Sequence, residues 1–414
     1  MNQAPWAVMP LEAVCVPSGL VRGPFGGSLK KIDFVASGYR VYEQRHAING
    51  TLDGARYFVD AKKFQEMKRF SVRPGDFIVS CSGTIGRIYQ LPKSSPEGII
   101  NQALLKVTVD TRIIEPQFFT SYFEWDRFQE KILESTQGGA MQNLVGMATF
   151  RKVPFIVPPL QEQRRIAEAL RDSSELIGVL KRLIAKKQAI KQGMMQQLLT
   201  GKTRLSGFSG EWVAVAAGDI ASFRGGSGFP IRYQARKSGA YPFFKVSDMN
   251  NEGNELFMRR ANNYISADTR KLIGAVVMPK DAIVFAKVGA AVFLERKRIL
   301  GQVSCIDNNM AAMTVDPLRA DVRFVHYLLM NFSMSSLVST TALPSLNGGQ
   351  LRSIPVRLPS EIAEQRAIAD LLADADAELD LLQTQLSKAR LVKQGMMQEL
   401  LTGRTRLKPV EVTV

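Results

Sequence analysis

At 414 residues the chain is long enough for two or three domains, and its hydrophobic fraction of 45% suits a soluble fold. No apolar run nears the roughly 20 residues of a membrane span, and the start lacks a charged stretch followed by an apolar core, so neither a membrane helix nor a secretory signal is expected. A net charge of +16 calls for a polyanionic partner, while two histidines and three isolated cysteines (Cys15, Cys81, Cys305) argue against a disulfide framework or zinc site and fit a reducing cytoplasm.

Residues 1–159 alternate strand-like runs with turns and carry a charge of +5. Residues 23–31 (GPFGGSLKK) form a Gly-rich loop ending in two lysines. Pro74-Gly75-Asp76 is a turn into the buried strand Phe77-Ile78-Val79-Ser80-Cys81, and residues 82–87 make the next loop. Phe118, Phe119, Tyr122, Phe123, Trp125 and Phe128 recur at helical spacing. That pattern predicts core packing rather than a base-stacking platform.

A long helical segment follows over 160–205, with a charge of +6. Ile166, Leu170, Ser173, Ile177, Leu180, Ile184, Lys187, Lys191, Met194 and Leu198 alternate in steps of four and three, the seven-residue repeat of a helix with a paired seam. Residues 206–359 (charge +7) repeat the first globular plan in diverged form: Trp212 answers Trp6, Tyr264 answers Tyr57, Asp281 answers Asp76, Ile283 answers Ile78 and Asn308 answers Asn101. Residues 360–407 form a second long helical segment, with Ile368, Leu372, Ala375, Leu379, Leu382, Leu386, Ala389, Lys393, Met396 and Leu400 in the same register, and 408–414 are a tail. The two helical segments end in near-identical stretches, KQGMMQQLLTGKTRL and KQGMMQELLTGRTRL, 202 positions apart, so the chain is a tandem duplication.

The helices are expected to pair antiparallel. Lys181, Arg182, Lys186 and Lys187 crowd the second half of the first, and Asp370, Asp374, Asp376, Glu378 and Asp380 crowd the first half of the second. Only antiparallel packing brings these clusters together. About 38 helical residues at 1.5 Å rise give a rod of roughly 57 Å, which suits a ruler between two units.

Nothing in the pattern supplies catalysis. Thr200-Gly201-Lys202-Thr203 lacks the earlier glycine and the leading strand of a phosphate-binding loop. Residues 223–228 (FRGGSG) faintly resemble a methyl-donor loop, but no Asn-Pro-Pro-aromatic or Asp-Pro-Pro-aromatic tetrapeptide accompanies it. Gln161-Glu162-Gln163 and Ala363-Glu364-Gln365 read as polar helix starts, not acid–base pairs, so no catalytic residue and no metal ligand is assigned.

In combination, GPFGGSL at 23–29, PGDFIVSCSGTIGR at 74–87, PPLQEQ at 158–163 and the repeated GMMQ-LLTG resemble the specificity subunits of type I restriction–modification systems, over nearly the whole chain. The second proline motif departs from that pattern, reading LPSEIAEQ. The resemblance implies a mixed α/β (α+β) fold: two similar target recognition domains separated by two long helices packed as an antiparallel coiled coil, with an internal pseudo-two-fold. It implies that each globular domain reads one half of a bipartite, asymmetric double-stranded DNA site, while the helices set the gap and dock two methyltransferase subunits. S-adenosylmethionine, ATP and Mg would sit on those partners and on motor-nuclease subunits, with no cofactor in this chain.

Basic loop residues are the expected DNA contacts: Lys30, Lys31, Arg45, Arg56, Arg69, Arg73 and Arg87 in the first domain, and Arg232, Arg236, Lys237, Lys245, Arg259, Arg260, Lys287, Arg296 and Lys297 in the second. The repeated Met pairs read as adaptable partner contacts, giving Met194, Met195, Leu198, Met396, Met397 and Leu400 as the expected methyltransferase-binding set. The competing reading is a stand-alone DNA-binding or bridging protein without a methyltransferase partner.

Overall fold

The computed structural model describes residues 6–135, 142–338 and 344–407. They form two compact units: residues up to Lys181 together with those from Thr384 on, and Arg182–Gln383. Each unit holds one globe and half of each long helix.

The first globe is built on an antiparallel sheet in the order Cys15–Arg22, Leu104–Val109, Phe77–Ser80, Ile88–Gln90. A smaller sheet runs Phe58–Val59, Tyr39–Tyr42, Gly98–Ile100, Ser71–Val72, with a parallel central pair. The second globe repeats both. Its larger sheet is Ala221–Gly225, Met310–Val315, Ile283–Ala286, Lys297–Leu300, extended by Phe257–Met258, and its smaller one is Tyr264–Ile265, Tyr241–Phe244, Ser304–Ile306, Val277–Met278. The aromatic helix Pro116–Phe123 is core, as its spacing predicts, and Glu115 caps it by accepting from the Phe118 N–H at 2.6 Å. The three cysteines are free and buried, and burial pushes their thiols up to about 12, 12 and 11.

Strand pairing corrects the residue matches read from the two globes by one position. Phe77 lies opposite Val107 and Ile283 opposite Met313, so Ile283 stands where Phe77 stands, not where Ile78 does. The shared Pro-x-Asp misleads because Asp281 occupies the positive-φ turn position of Gly75 (φ 67° and 92°). Asp76, one residue on, caps the Arg73 N–H and accepts from the Thr108 hydroxyl at 2.6 Å. Side chains alternate faces along a strand, so this slip exchanges the main core for the smaller cluster behind it. The same correction puts Phe58 at Tyr264 and Asn101 at Asp307, each of which caps a turn N–H two residues on.

The long helices are Leu160–Leu198 and Ile362–Leu400, and within each unit they pack antiparallel. In the first unit Ile166, Ala167 and Leu170 share a core with Met397, Leu400 and Leu401. In the second, Met195, Leu198 and Leu199 share one with Ile368, Ala369 and Leu372. The expected charge match is present in part. Lys187 pairs with Glu378 at 2.7 Å and Lys191 with Asp376, but Asp370 turns instead to Arg323 of the globe.

The repeated motif has a structural use. Glu162 accepts from the Arg406 guanidinium at 2.6 and 2.9 Å and from Trp6 Nε1 at 3.1 Å, and Gly403 lies flat against the Trp6 ring. In the other unit Glu364 accepts from Arg204 at 2.6 and 2.7 Å, and Gly201 lies against Trp212. Beside each glutamate, Gln163 and Gln365 are fully buried and tie the helix start to the globe through the backbone N–H groups of Glu115 and Asp321. These polar helix starts are therefore clasps.

The Met pairs are not the free surface that the sequence suggested. Met195 and Met397 are each 8% exposed, Leu198 and Leu400 are buried, and Met194 and Met396 pack partly buried on the same cores. The reason is helical spacing: Met, Leu and Leu at i, i+3 and i+4 form one apolar stripe, which the last turn presses under the globe.

Candidate nucleic-acid interface

One end of the larger sheet gathers the loops in each globe. In the first, the Gly23 N–H donates to Leu104 O, the Cys81 N–H to Ala103 O and the Asn101 N–H to Tyr42 O. The loops beginning at residues 23, 43, 81 and 101 thus converge. In the second, Gly226 donates to Met310 O, Lys287 to Asn309 O and Asp307 to Phe244 O, so the equivalent four loops meet. Backbones approach closely there: a Cβ on Gly23 would lie 2.0 Å from Asn101 O, and one on Gly226 1.9 Å from Asp307 O, so only glycine fits.

The loops are braced from below. The turn after Tyr42 is closed by His46, whose Nδ1 accepts from the Glu43 N–H at 2.9 Å, and that after Phe244 by Asp248, which accepts from the Lys245 N–H at 2.6 Å. Burial lowers the His46 pKa, which suits a neutral ring accepting at Nδ1. Arg22 donates to Cys81 O at 3.4 Å and Arg40 to Leu52 O, fixing loops to strand ends.

The expected DNA contacts divide on this frame. Arg45, Arg56 and Arg87 stand at the loop-bearing end of the first globe, Arg45 held by Glu43 at 3.1 Å. Lys245, Lys287 and Arg296 stand at the same end of the second. There Lys245 donates to Gln234 Oε1 at 3.1 Å, and Lys287 Nζ lies over Gly225. Lys30 and Lys31, and likewise Arg232, Arg236 and Lys237, are exposed on the segment that leads from Gly23 or Gly226 to the smaller sheet. Arg73 lies at the other end of the sheet, in the turn before Phe77, with Arg69 on the exposed turn that leads into Ser71–Val72, the edge strand of the smaller sheet. Arg259 and Arg260 also lie at that far end, next to Gly301.

Lys297 is a correction. It is 1% exposed, and its ammonium binds Glu295 at 2.6 Å and Phe332 O at 2.9 Å. Its strand faces the main core, so the side chain is sequestered by the helix Val322–Asn331 rather than offered to a ligand. Burial alone would raise the Glu295 carboxyl, but Lys297 and the N–H groups of Ser335 and Met334 outweigh it and hold the group at about 2.

Residue type alone did not single out Gln44, Gln234 or Lys63. Gln44 Oε1 is buried without a partner among the described residues, Gln234 orients Lys245, and Lys63 meets Asp33 beside Lys30 at 3.4 Å. Their contacts in the fold, not their residue type, bring these positions to the loops. Among the described residues no group of three or more His, Cys, Asp or Glu side chains could hold a metal ion, and no helix is long and apolar enough to cross a membrane.

A family model described as the type I restriction modification DNA specificity domain matches the chain twice, over residues 31–189 and 209–390. The chain is 23% identical over 368 residues to the type I restriction enzyme MjaVIII specificity subunit of Methanocaldococcus jannaschii, covering 84% of each. It is 24% identical over 371 residues to the putative MjaX specificity subunit of the same organism, covering 85% of this chain and 83% of that one. Among solved structures, the S subunit of a type I restriction–modification system from M. genitalium matches with TM-score 0.58 at 15% identity, covering 97% of both chains. A chain solved in work on complex assembly and conformational transition of the type I R-M system matches with TM-score 0.59 at 17% identity, covering 97% of this chain and 99% of that one. The fold is shared with both.

Proposed function

The chain belongs to the type I restriction modification DNA specificity family, and on that premise we propose that it is the sequence-reading subunit of a type I restriction–modification complex. Each globe reads one half of a bipartite site in double-stranded DNA through its loop-bearing end. The observation that carries this reading is one framework built twice with unlike cations at equivalent loops. Gln44 and Arg45 follow Tyr42 and Glu43 in the first globe, where Val246 and Ser247 follow Phe244 and Lys245 in the second.

The chain performs no chemistry in this scheme. The paired helices set the unspecific gap and dock two methyltransferase subunits, which bring S-adenosylmethionine, and motor-nuclease subunits bring ATP and Mg. Leu176, Val179, Leu391 and Val392 on the helices of the first unit, and Ile190 and Leu381 on those of the second, are exposed and suit such docking better than the buried Met pairs. The complex would work in the cytoplasm, on cellular DNA.

The test is co-expression with candidate methyltransferase subunits, followed by mapping of methylated adenines. A bipartite motif with a fixed gap is the expected result, and exchanging residues 206–359 for another reader should alter one half only. Absence of methylation combined with tight specific binding by the lone chain would overturn the reading in favour of a stand-alone DNA-binding protein.

A further inference from the structure

We infer that Ile32 and Ile231 are apolar DNA contacts, one for each half-site; the inference rests on the DNA-reading function proposed above. Both residues are almost wholly exposed, at 88% and 87%. Each lies in a one-turn 3-10 helix, Lys31–Asp33 or Ile231–Tyr233, on the segment that leaves the equivalent glycines Gly23 and Gly226 and enters the equivalent strands Tyr39–Tyr42 and Tyr241–Phe244. The loops differ in length and sequence, yet each presents an isoleucine at its tip.

The tip residues are held outward. In the first globe the turn is pinned by Asp33, which accepts from the Lys30 N–H at 2.6 Å and meets Lys63 at 3.4 Å. In the second, Gln234 donates to Phe229 O at 2.8 Å, and Phe229 stacks on the core residue Phe243 at 3.8 Å. Among the described residues neither isoleucine is covered by a neighbour, and a single exposed apolar residue is by itself ordinary. Two in corresponding turns, at the second position of one and the first of the other, each with a cation next to it in the chain, are harder to dismiss. Lys30 and Lys31 precede Ile32, and Arg232 follows Ile231, its guanidinium over the Tyr233 ring.

A cation beside an apolar tip matches the surface of duplex DNA. Lysine and arginine meet phosphates, while the branched side chain enters a groove and packs on a thymine methyl or wedges at a base step. Burial of an isoleucine side chain at such a contact sets the expected loss on truncation to alanine at about tenfold in affinity. An apolar contact releases no counterions, so the slope of affinity against salt should not change.

The experiment uses the full chain with its methyltransferase partners and duplexes carrying the site found by methylation mapping. Ile32→Ala and Ile231→Ala should each weaken binding about tenfold with an unchanged salt slope, and Ile32→Leu should recover most of the loss. Replacing thymines by deoxyuridine in one half separates the two modes. If wild type loses affinity on that duplex and the alanine variant does not, the contact is a methyl group. If neither responds while truncation still weakens binding, it is a base step. Variants binding as wild type overturn the inference alone, as do variants that bind DNA normally but lose methyltransferase capture. A wild-type complex with no specific binding removes the functional reading and this inference together.

Discussion

Replacing Arg204 by alanine should cost more stability than the corresponding change, Arg406→Ala, in the other unit. Glu364 has no exposed side-chain surface, and both its oxygens are satisfied by the Arg204 guanidinium, at 2.6 and 2.7 Å. Removing the arginine leaves a buried carboxylate without a partner, a change that costs about 3–5 kcal/mol. Because Arg204 itself is 28% exposed, water can reach part of the site, and the lower end, about 3 kcal/mol, is expected. For a unit of this size that corresponds to roughly 6–12 °C in melting temperature. Arg406→Ala should cost about 1–2 kcal/mol less, since Trp6 Nε1 still donates to Glu162, whereas Trp212 Nε1 makes no such bond. The double change Arg204→Leu with Glu364→Leu should recover most of the loss, because no charge is then left buried. Differential scanning calorimetry of the four proteins is the assay. A melting temperature for Arg204→Ala within a degree of wild type, or a larger loss for Arg406→Ala, would refute the reasoning.

Other outcomes follow from the same structure. Lys297→Met should lower thermal stability and leave the DNA affinity of the folded protein unchanged, measured by melting and by filter binding on the same samples. Glu295 is held at about 2, below the roughly 4.3 of an unfolded glutamate, so its stabilising contribution is full above that value and is lost as pH falls toward 2. The melting-temperature gap between wild type and Glu295→Gln should accordingly narrow between pH 5 and pH 2.5. Neutralising Lys30 with Lys31 should reduce the salt slope of binding by about one for each phosphate these lysines neutralise, and an unchanged slope removes them from the interface. Met195→Asp and Met397→Asp should destabilise their units by several kcal/mol. Leu391→Asp and Val392→Asp should leave melting unchanged while weakening methyltransferase capture in a pull-down.

Much of the architecture was legible because it rests on periodicity. Spacings of three and four over 39 residues announce each long helix, and the aromatics from Phe118 to Phe128 announce a core helix. The antiparallel pairing was legible from charge, through Lys187 with Glu378. Register was not, because Pro-x-Asp looks alike in both globes while Asp281 occupies the place of a glycine with positive φ. Of the interface, composition gave the cations but not their grouping. Arg87 and Arg73 are both exposed arginines near one strand, and only the direction of Phe77–Ser80 puts them at opposite ends of the sheet. Lys297 misleads because a buried lysine and an exposed one are the same letter; what separates them is Glu295 two residues earlier and the Phe332 carbonyl at the end of the helix Val322–Asn331, which both hold the ammonium.

The clasp also explains where the two copies of the repeat agree. Residues 193–205 end the first helix and seat against Trp212, Glu364 and the second globe's core, which Leu205 joins. Residues 395–407 seat in the same way against Trp6, Glu162 and the first core, which Leu407 joins. Each copy therefore fits a socket formed by the start of the other long helix and a globe of common plan. The steric and ionic demands on the two copies are nearly the same: a glycine flat against an indole, an arginine into a buried glutamate, a leucine into the core. The loop-bearing ends carry no such shared demand and have diverged to Gln44 with Arg45 in one globe and Val246 with Ser247 in the other. Near-identity in the helices and difference at the loops thus need no partner protein to account for them. Packing holds the first constant, and two unlike half-sites would set the second apart.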